Sequence, residues 1–163
     1  MLRLGGIYGP GRTRLIDQVR SGTAVIPAAS RFTNRIHRDD AAAAIVHLCT
    51  MDTVPAPVYL GVDHEPAELG DVLDFLATEL GLPRPPSESA GAVAAGAAGA
   101  AAGGASASGA SASGGKAAGG EPSRGGNKRA SSGLLRSTGF EFQYPSFREG
   151  YRAVLAGVGA RHP

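Results

Sequence analysis

The sequence predicts an α/β fold, because strand-like and helix-like segments alternate along much of its 163 residues. The clearest strand is at residues 58–62, where Val-Tyr-Leu-Gly-Val ends at a polar turn. The clearest helix follows at about residues 67–80. Leucine and valine recur there at helical spacing, and Gly81 terminates the pattern.

The N-terminal part begins with an extended run at residues 2–8, which the turn Gly9-Pro10-Gly11 ends. A short helix is predicted next, since three apolar residues share one face: Leu15, Ile16 and Val19. Residues 24–26 are predicted to form a short strand that Pro27 stops.

A second extended piece at residues 34–37 leads into a helix that runs to about Met51. Asp39 or Asp40 is expected to cap this helix rather than to act as a catalytic carboxylate. Its predicted buried stripe consists of Ala41, Ala44, Ile45, Leu48 and Cys49. Because Cys49 is the single cysteine, no internal disulfide is possible, and we expect it to be a small buried hydrophobe.

Residues 87–126 are almost entirely alanine, glycine and serine, which predicts a disordered insertion without a direct part in function. The flanking segments, 1–86 and 127–163, are each too small to fold well alone. In the second, Leu134 and Leu135 indicate a short helix, and aromatic residues alternate at positions 140, 142 and 144. Ser146 and Glu149 form a capping box at the start of the last helix.

Composition and charge exclude several classes of function. The net charge of +2 comes with no basic stripe, so no nucleic acid partner is expected. No apolar run is long enough to span a membrane, and no signal peptide is visible, so a cytoplasmic location is expected. Asp63-His64-Glu65 is interpreted as a turn, because no second cluster with metal-ligand spacing accompanies it.

Five ordered pieces resemble the extended short-chain dehydrogenase/reductases, the NAD-dependent epimerase/dehydratase family. The first is residues 3–12, similar to an RxGxxYGP-type segment, and the second is residues 33–42, similar to an IHxDDxA segment. The others are residues 58–66, residues 127–135 and the Tyr-Pro-Ser-Phe-Arg-Glu-Gly of residues 144–150. In the family the first segment follows the nucleotide-binding glycine motif and the catalytic Tyr-x-x-x-Lys. The resemblance therefore implies a C-terminal portion without the nucleotide-binding half.

The resemblance implies three regions. Residues 1–86 would form the last strands and helices of a Rossmann-type domain together with part of the small substrate-binding domain. Residues 87–126 would be the insertion, and residues 127–163 the C-terminal segment of the substrate domain. It also implies NAD or NADP as the cofactor of the family and a small-molecule substrate, such as a nucleotide-sugar or another anion. A homodimer is compatible with it.

The same resemblance proposes the site residues. Tyr8, Gly9 and Pro10 would lie at the nicotinamide end of the cofactor, where a tight turn lets backbone approach a ligand. Arg35 and His37, one residue apart in a strand, would face the substrate together. Alternatives from the residues alone are a plain β-turn at Gly9 and Pro10, a surface ion pair for Arg35 and a buried, backbone-satisfied His37. Lys128 and Arg129 would line the substrate domain, or else form an ordinary solvated pair.

The sequence lacks the motifs that carry the catalytic chemistry of the family. No GxxGxxG motif is present, and none of the four tyrosines is followed four residues later by lysine. We therefore expect no catalytic residues, weak or no cofactor binding, and no turnover by the isolated chain. Whether this chain is an enzyme stays open at this point. The alternative is a non-catalytic binding or interaction module derived from the same fold.

Overall fold

The structure is a computed structural model that describes residues 1–88 and 127–159. The predicted insertion therefore lies outside the described residues, except for Ser87 and Glu88. These two pair with a neighbouring segment: Ser87 bridges Ile26 in parallel, and the Glu88 amide donates to the Ile26 carbonyl at 3.0 Å.

The described segments confirm the α/β class. The six strands described are β1 (Leu2–Leu4), β2 (Gly6–Tyr8), β3 (Phe32–Thr33), β4 (Arg35–His37), β5 (Tyr59–Gly61) and β6 (Ala67–Glu68). The five helices described are α1 (Arg14–Arg20), α2 (Arg38–Thr50), α3 (Leu69–Glu79), α4 (Gly133–Arg136) and α5 (Phe147–Leu155).

The predicted N-terminal strand changes its partner halfway along its length. β1 pairs in parallel with β5, whereas β2 pairs in parallel with β4. The switch falls at two glycines: the Gly5 amide donates to the Gly61 carbonyl, and the Gly6 amide donates to the Asn34 carbonyl, both at 2.9 Å. β4 therefore begins beside β2, which brings Arg35 and His37 next to Tyr8. β3 and β6 form a separate antiparallel pair.

Aromatic residues of the C-terminal segment complete both cores. The larger core joins Tyr8, the inner faces of α1 and α3, and Phe147 and Tyr151 of α5. The smaller one joins Ala44, Tyr59, Leu135 and Phe140. Residues after 127 thus pack against residues before 88 in both clusters, as expected of pieces that cannot bury enough apolar surface alone.

Helix α2 differs from its prediction at its start and on its outer face. It begins at Arg38, and the capping group is the His37 ring, whose Nδ1 accepts from the Asp39 amide at 3.3 Å. Ala41 and Ala44 are buried as expected, but Cys49 is exposed and Ile45 is 49% exposed. The helix therefore packs through its alanines and leaves larger apolar side chains at the surface.

Other differences are local. Residues 24–26 form no strand beyond the single bridge at Ile26, and α3 begins at Leu69 because Ala67 and Glu68 pair with β3 instead. The capping box is confirmed: Ser146 accepts from the Arg148 amide, and the Glu149 carboxylate accepts from the Ser146 amide. In the described residues, no helix combines the length and apolar character that a membrane crossing needs.

Candidate functional site

A cleft of about 640 Å³ opens beside β2 and β4. Its volume is within the range of small-molecule sites. The charged side chains that line it are four arginines and one carboxylate: Arg12, Arg14, Arg31, Arg35 and Glu88. Tyr8, Tyr151 and several apolar residues form the rest of the wall. A concave surface with this excess of positive charge attracts an anion.

Arg35 is the buried member of the four arginines. Its side chain is only 6% exposed, and burial lowers the pKa of its guanidinium, although the ordinary value is high enough to keep it charged. The Tyr151 hydroxyl lies close to this guanidinium, whereas Nη1 has no hydrogen-bond partner in the described structure. A buried cation with an unused donor at a cleft is suited to hold an anionic group.

Tyr8 lies beside Arg35 and is fixed by close packing. Its ring centroid is 4.3 Å from that of Tyr151, and its hydroxyl points at the backbone of Gly150. A Cβ atom on Gly150 would lie 1.9 Å from that hydroxyl oxygen, so the position requires glycine. Burial, with a smaller effect of the Asp63 charge, raises the pKa of Tyr8 well above its ordinary value. Tyr8 is therefore a neutral phenol.

The turn after Tyr8 is held in place by Arg38. The Arg12 amide donates to the Gly9 carbonyl at 2.9 Å, and Arg38 Nη1 donates to the Pro10 carbonyl at 3.0 Å. Gly9 has φ of +142°, and a Cβ atom there would lie 3.0 Å from the Arg38 Cβ. The tight turn therefore places Arg12 at the cleft and packs its own backbone against the start of α2.

His37 lies behind Tyr8 and is not among the cleft-lining residues. It is 1% exposed, and burial lowers the pKa of its ring. The ring centroid is 4.0 Å from that of Tyr144 and 5.4 Å from that of Tyr8. With Nδ1 capping α2 and Nε2 unpartnered, His37 is a neutral, packed side chain in this structure. The strand pairing thus brings His37 near Arg35 but not into the same cavity.

Lys128 and Arg129 are exposed, and neither lines the cleft. Asn34 fixes their segment: its Nδ2 donates to the Lys128 carbonyl at 2.9 Å, and its Oδ1 accepts from the Ala130 amide at 2.8 Å. The Arg129 guanidinium stacks on the Phe32 ring at 4.0 Å. The segment after the insertion is therefore attached along β3 and β4 through its backbone.

Two buried aspartates lie near these groups. The Asp40 carboxylate accepts from the amides of Gln143 and Tyr144, at 2.8 and 3.0 Å, and so attaches the C-terminal segment to α2. Asp63 follows β5, and its amide donates to the Arg35 carbonyl at 2.6 Å. Burial raises the pKa of Asp63 to about 7, although the charge of Arg35 opposes this shift.

Five residues of this site were not predicted from the sequence: Arg12, Arg14, Arg31, Asp63 and Tyr151. A positional signal existed for two of them, because Arg12 and Asp63 each follow a predicted strand closely, as ligand-binding residues often do in α/β folds. Arg31 and Tyr151 reach the cleft from distant segments. In the described ranges, no three histidine, cysteine or acidic side chains come together as a metal site would require.

Comparison with known proteins shows what this chain is similar to. No protein-family model and no curated protein matches the chain. Among solved structures, a protein of the NAD-dependent epimerase/dehydratase type from Methylobacillus flagellatus is 31% identical, with a TM-score of 0.65. The match covers 96% of this chain and 46% of that one. Over nearly its whole length, this chain is similar to the extended short-chain dehydrogenase/reductases.

More distant structures share the fold. The human epimerase family protein SDR39U1 (isoform 2), solved with NADPH, is 16% identical with a TM-score of 0.64; the match covers 95% of this chain and 47% of that one. UDP-N-acetylglucosamine 4-epimerase from Bacillus cereus is 12% identical with a TM-score of 0.58; the match covers 98% of this chain and 46% of that one. The chain therefore spans about half the length of these structures.

Proposed function

We propose that this chain is the substrate-binding portion of an NAD(P)-dependent epimerase, dehydratase or reductase. The observation that supports this most is the arginine cleft, in which the buried Arg35 keeps an unpaired donor. Arg35 would hold the anionic part of a small-molecule substrate in a bidentate contact, with Arg12, Arg14 and Arg31 at the wall. A nucleotide-sugar fits this charge, and one neighbour is named as an epimerase of such a compound.

The proposed cofactor contact lies next to this cleft. Tyr8 lines the cleft directly, and the Gly9-Pro10 turn follows it, so a nicotinamide ring against the turn would be close to the substrate. The cofactor would supply hydride transfer. The residues of this chain fit only the nicotinamide end of the cofactor, because the sequence has no glycine motif for the pyrophosphate. Substrate binding by His37, Lys128 and Arg129 stays a prediction, and these residues would contact the substrate outside the cleft.

Calorimetric titration with UDP-glucose tests the substrate proposal, and uridine, which lacks the charged diphosphate together with the glucose, is the uncharged comparison ligand. We expect UDP-glucose to bind and uridine to bind at least about tenfold more weakly, since a charge-assisted hydrogen bond contributes about 1.5–3 kcal/mol. Arg31→Gln should weaken UDP-glucose binding, whereas Arg20→Gln, an exposed arginine at the end of α1 outside the cleft, should not. Equal affinity for the two ligands would contradict an anion site.

A second candidate function is a non-catalytic interaction module. It is favoured by the outer face of α2, where Val46 is 60% exposed beside Ile45 and Cys49, and by β1, which has β5 as its single partner among the described strands. An open parallel edge next to apolar side chains invites pairing with another chain. Size-exclusion chromatography with light scattering distinguishes the candidates: a soluble, cooperatively melting homodimer supports the module, and aggregation of the isolated chain argues against it.

A further inference from the structure

Asp63 is a second buried charged group next to the cleft, and the proposed substrate contact does not use it. Its side chain is 2% exposed. Neither carboxylate oxygen has a hydrogen-bond partner in the described residues; the Glu65 amide lies near, outside good hydrogen-bond geometry. An unpartnered carboxylate in this position is costly when it is ionised.

The charged groups that face Asp63 come from three parts of the chain. Arg35 of β4 attracts its negative charge, whereas Glu65 of the same turn and Glu149 of α5 repel it. The phenols of Tyr8 and Tyr151 also face it, and its charge raises the pKa of both. Arg35 is therefore the one cation among these groups.

Arg35 is shared between Asp63 and the cleft. Arg35 lines the cleft, and its Nη1 is buried without a partner, while Asp63 attracts its charge from outside the cleft lining. An anion bound to Arg35 would be a second negative charge beside one buried cation. Repulsion between like charges is strong where water is excluded, and it is relieved when one of the two takes a proton.

We propose that Asp63 controls anion binding at Arg35: an anionic ligand binds together with one proton, which the Asp63 carboxylate takes up from solvent. This inference rests on the proposed function, because it requires an anion in the arginine cleft. The O–H bond of Asp63 is the only bond that forms. Neutral Asp63 leaves the whole charge of Arg35 to the ligand, whereas ionised Asp63 competes with the ligand for it.

Sulfate is the suitable probe, because its charge does not change near neutral pH. We expect its affinity for the wild-type chain to fall by up to about tenfold per pH unit above about pH 7, as linkage to one proton requires. Asp63→Asn should bind sulfate at pH 8 about as well as the wild type does at pH 6, with little dependence on pH. Asp52→Asn, which alters an exposed carboxylate that is not among the charged groups facing Asp63, should keep the wild-type pH dependence.

A second measurement uses the unaltered chain. The ¹³C shift of the Asp63 carboxyl, followed over pH with and without sulfate, should show a higher pKa when sulfate is bound. If Asp63→Asn and the wild type share one pH dependence, or if sulfate leaves that pKa unchanged, the proton coupling is wrong while the anion site stands. If sulfate binds the wild type at no pH, both the coupling and the anion site are wrong.

Discussion

Replacing Asp63 with asparagine should change how the stability of the protein depends on pH. In the folded protein, burial raises the pKa of Asp63 from its ordinary 3.8 to about 7. In the unfolded chain the carboxyl is solvated and titrates near its ordinary value. Between about pH 4 and about pH 7, the folded state therefore retains a proton that the unfolded state has released.

The sign follows from this difference in bound protons. Because the folded state binds more protons in this window, the free energy of unfolding falls as the pH rises through it. A shift of about three pKa units, at about 1.4 kcal/mol each, corresponds to about 4 kcal/mol between the two ends of the window. Asp63→Asn carries no titrating group, so relative to the wild type it should gain stability across this window by an amount of that order.

Urea denaturation of both chains at several pH values measures this gain. The difference between the two free energies of unfolding isolates Asp63, because other shifted groups such as Asp40 are common to both chains. Asp52→Asn, which removes an exposed carboxylate that does not face Asp63, is the matched control and should show a much smaller change with pH. A difference between wild type and Asp63→Asn that stays constant from about pH 4 to about pH 8 would refute the burial of an ionisable Asp63.

Three further outcomes are expected. Gly150→Ala should destabilise the fold by about 1–3 kcal/mol in thermal or urea unfolding, because its Cβ would lie 1.9 Å from the Tyr8 hydroxyl; a gain from the better helix former would show that Tyr8 packs elsewhere. Ser146→Ala should cost about 1 kcal/mol through loss of the cap of α5, whereas the exposed Ser137→Ala, outside any capping box, should cost less. Calorimetric titration of the isolated chain with NAD and NADP should show no saturable binding at micromolar concentration, since the pyrophosphate motif is missing; micromolar binding would reveal a cofactor site of another kind.

Elements determined by local sequence were predictable. The capping box at Ser146 depends on two residues three positions apart, and α3 depends on a repeated apolar spacing that ends at Gly81. The turn at Gly9 was also recognisable, because glycine there has a backbone conformation that other residues adopt rarely. Each of these signals is contained within a few residues of chain.

Features that depend on distant segments were not predictable in the same way. Cys49 was expected to be buried because of its position on α2. The helix instead packs through Ala41 and Ala44, and Cys49 is exposed. The apolar spacing of the helix alone did not identify the face that packs against the rest of the chain. Asp40 was expected to cap that helix; its true partners are amides more than a hundred residues away.

The candidate site likewise combines one residue that was predictable from local sequence with others that were not. Arg35 was identified from its motif, yet the arginines around it come from the turn after β2, the start of α1 and the segment before β3, so only folding brings them together. Asp63 was interpreted as part of a turn, because no second cluster with metal-ligand spacing accompanies it. Its relation to Arg35 arises from the pairing of the segment after β5 with β4.

Amide chemical-shift mapping with UDP-glucose on the full chain tests the location of the substrate site most directly. Binding in the arginine cleft should shift the amides of residues 6–15 and 31–35, and Arg31→Gln should reduce these shifts at the same ligand concentration. Shifts confined to the outer face of α2 and to β1, or no shifts at all, would contradict a substrate site in this cleft.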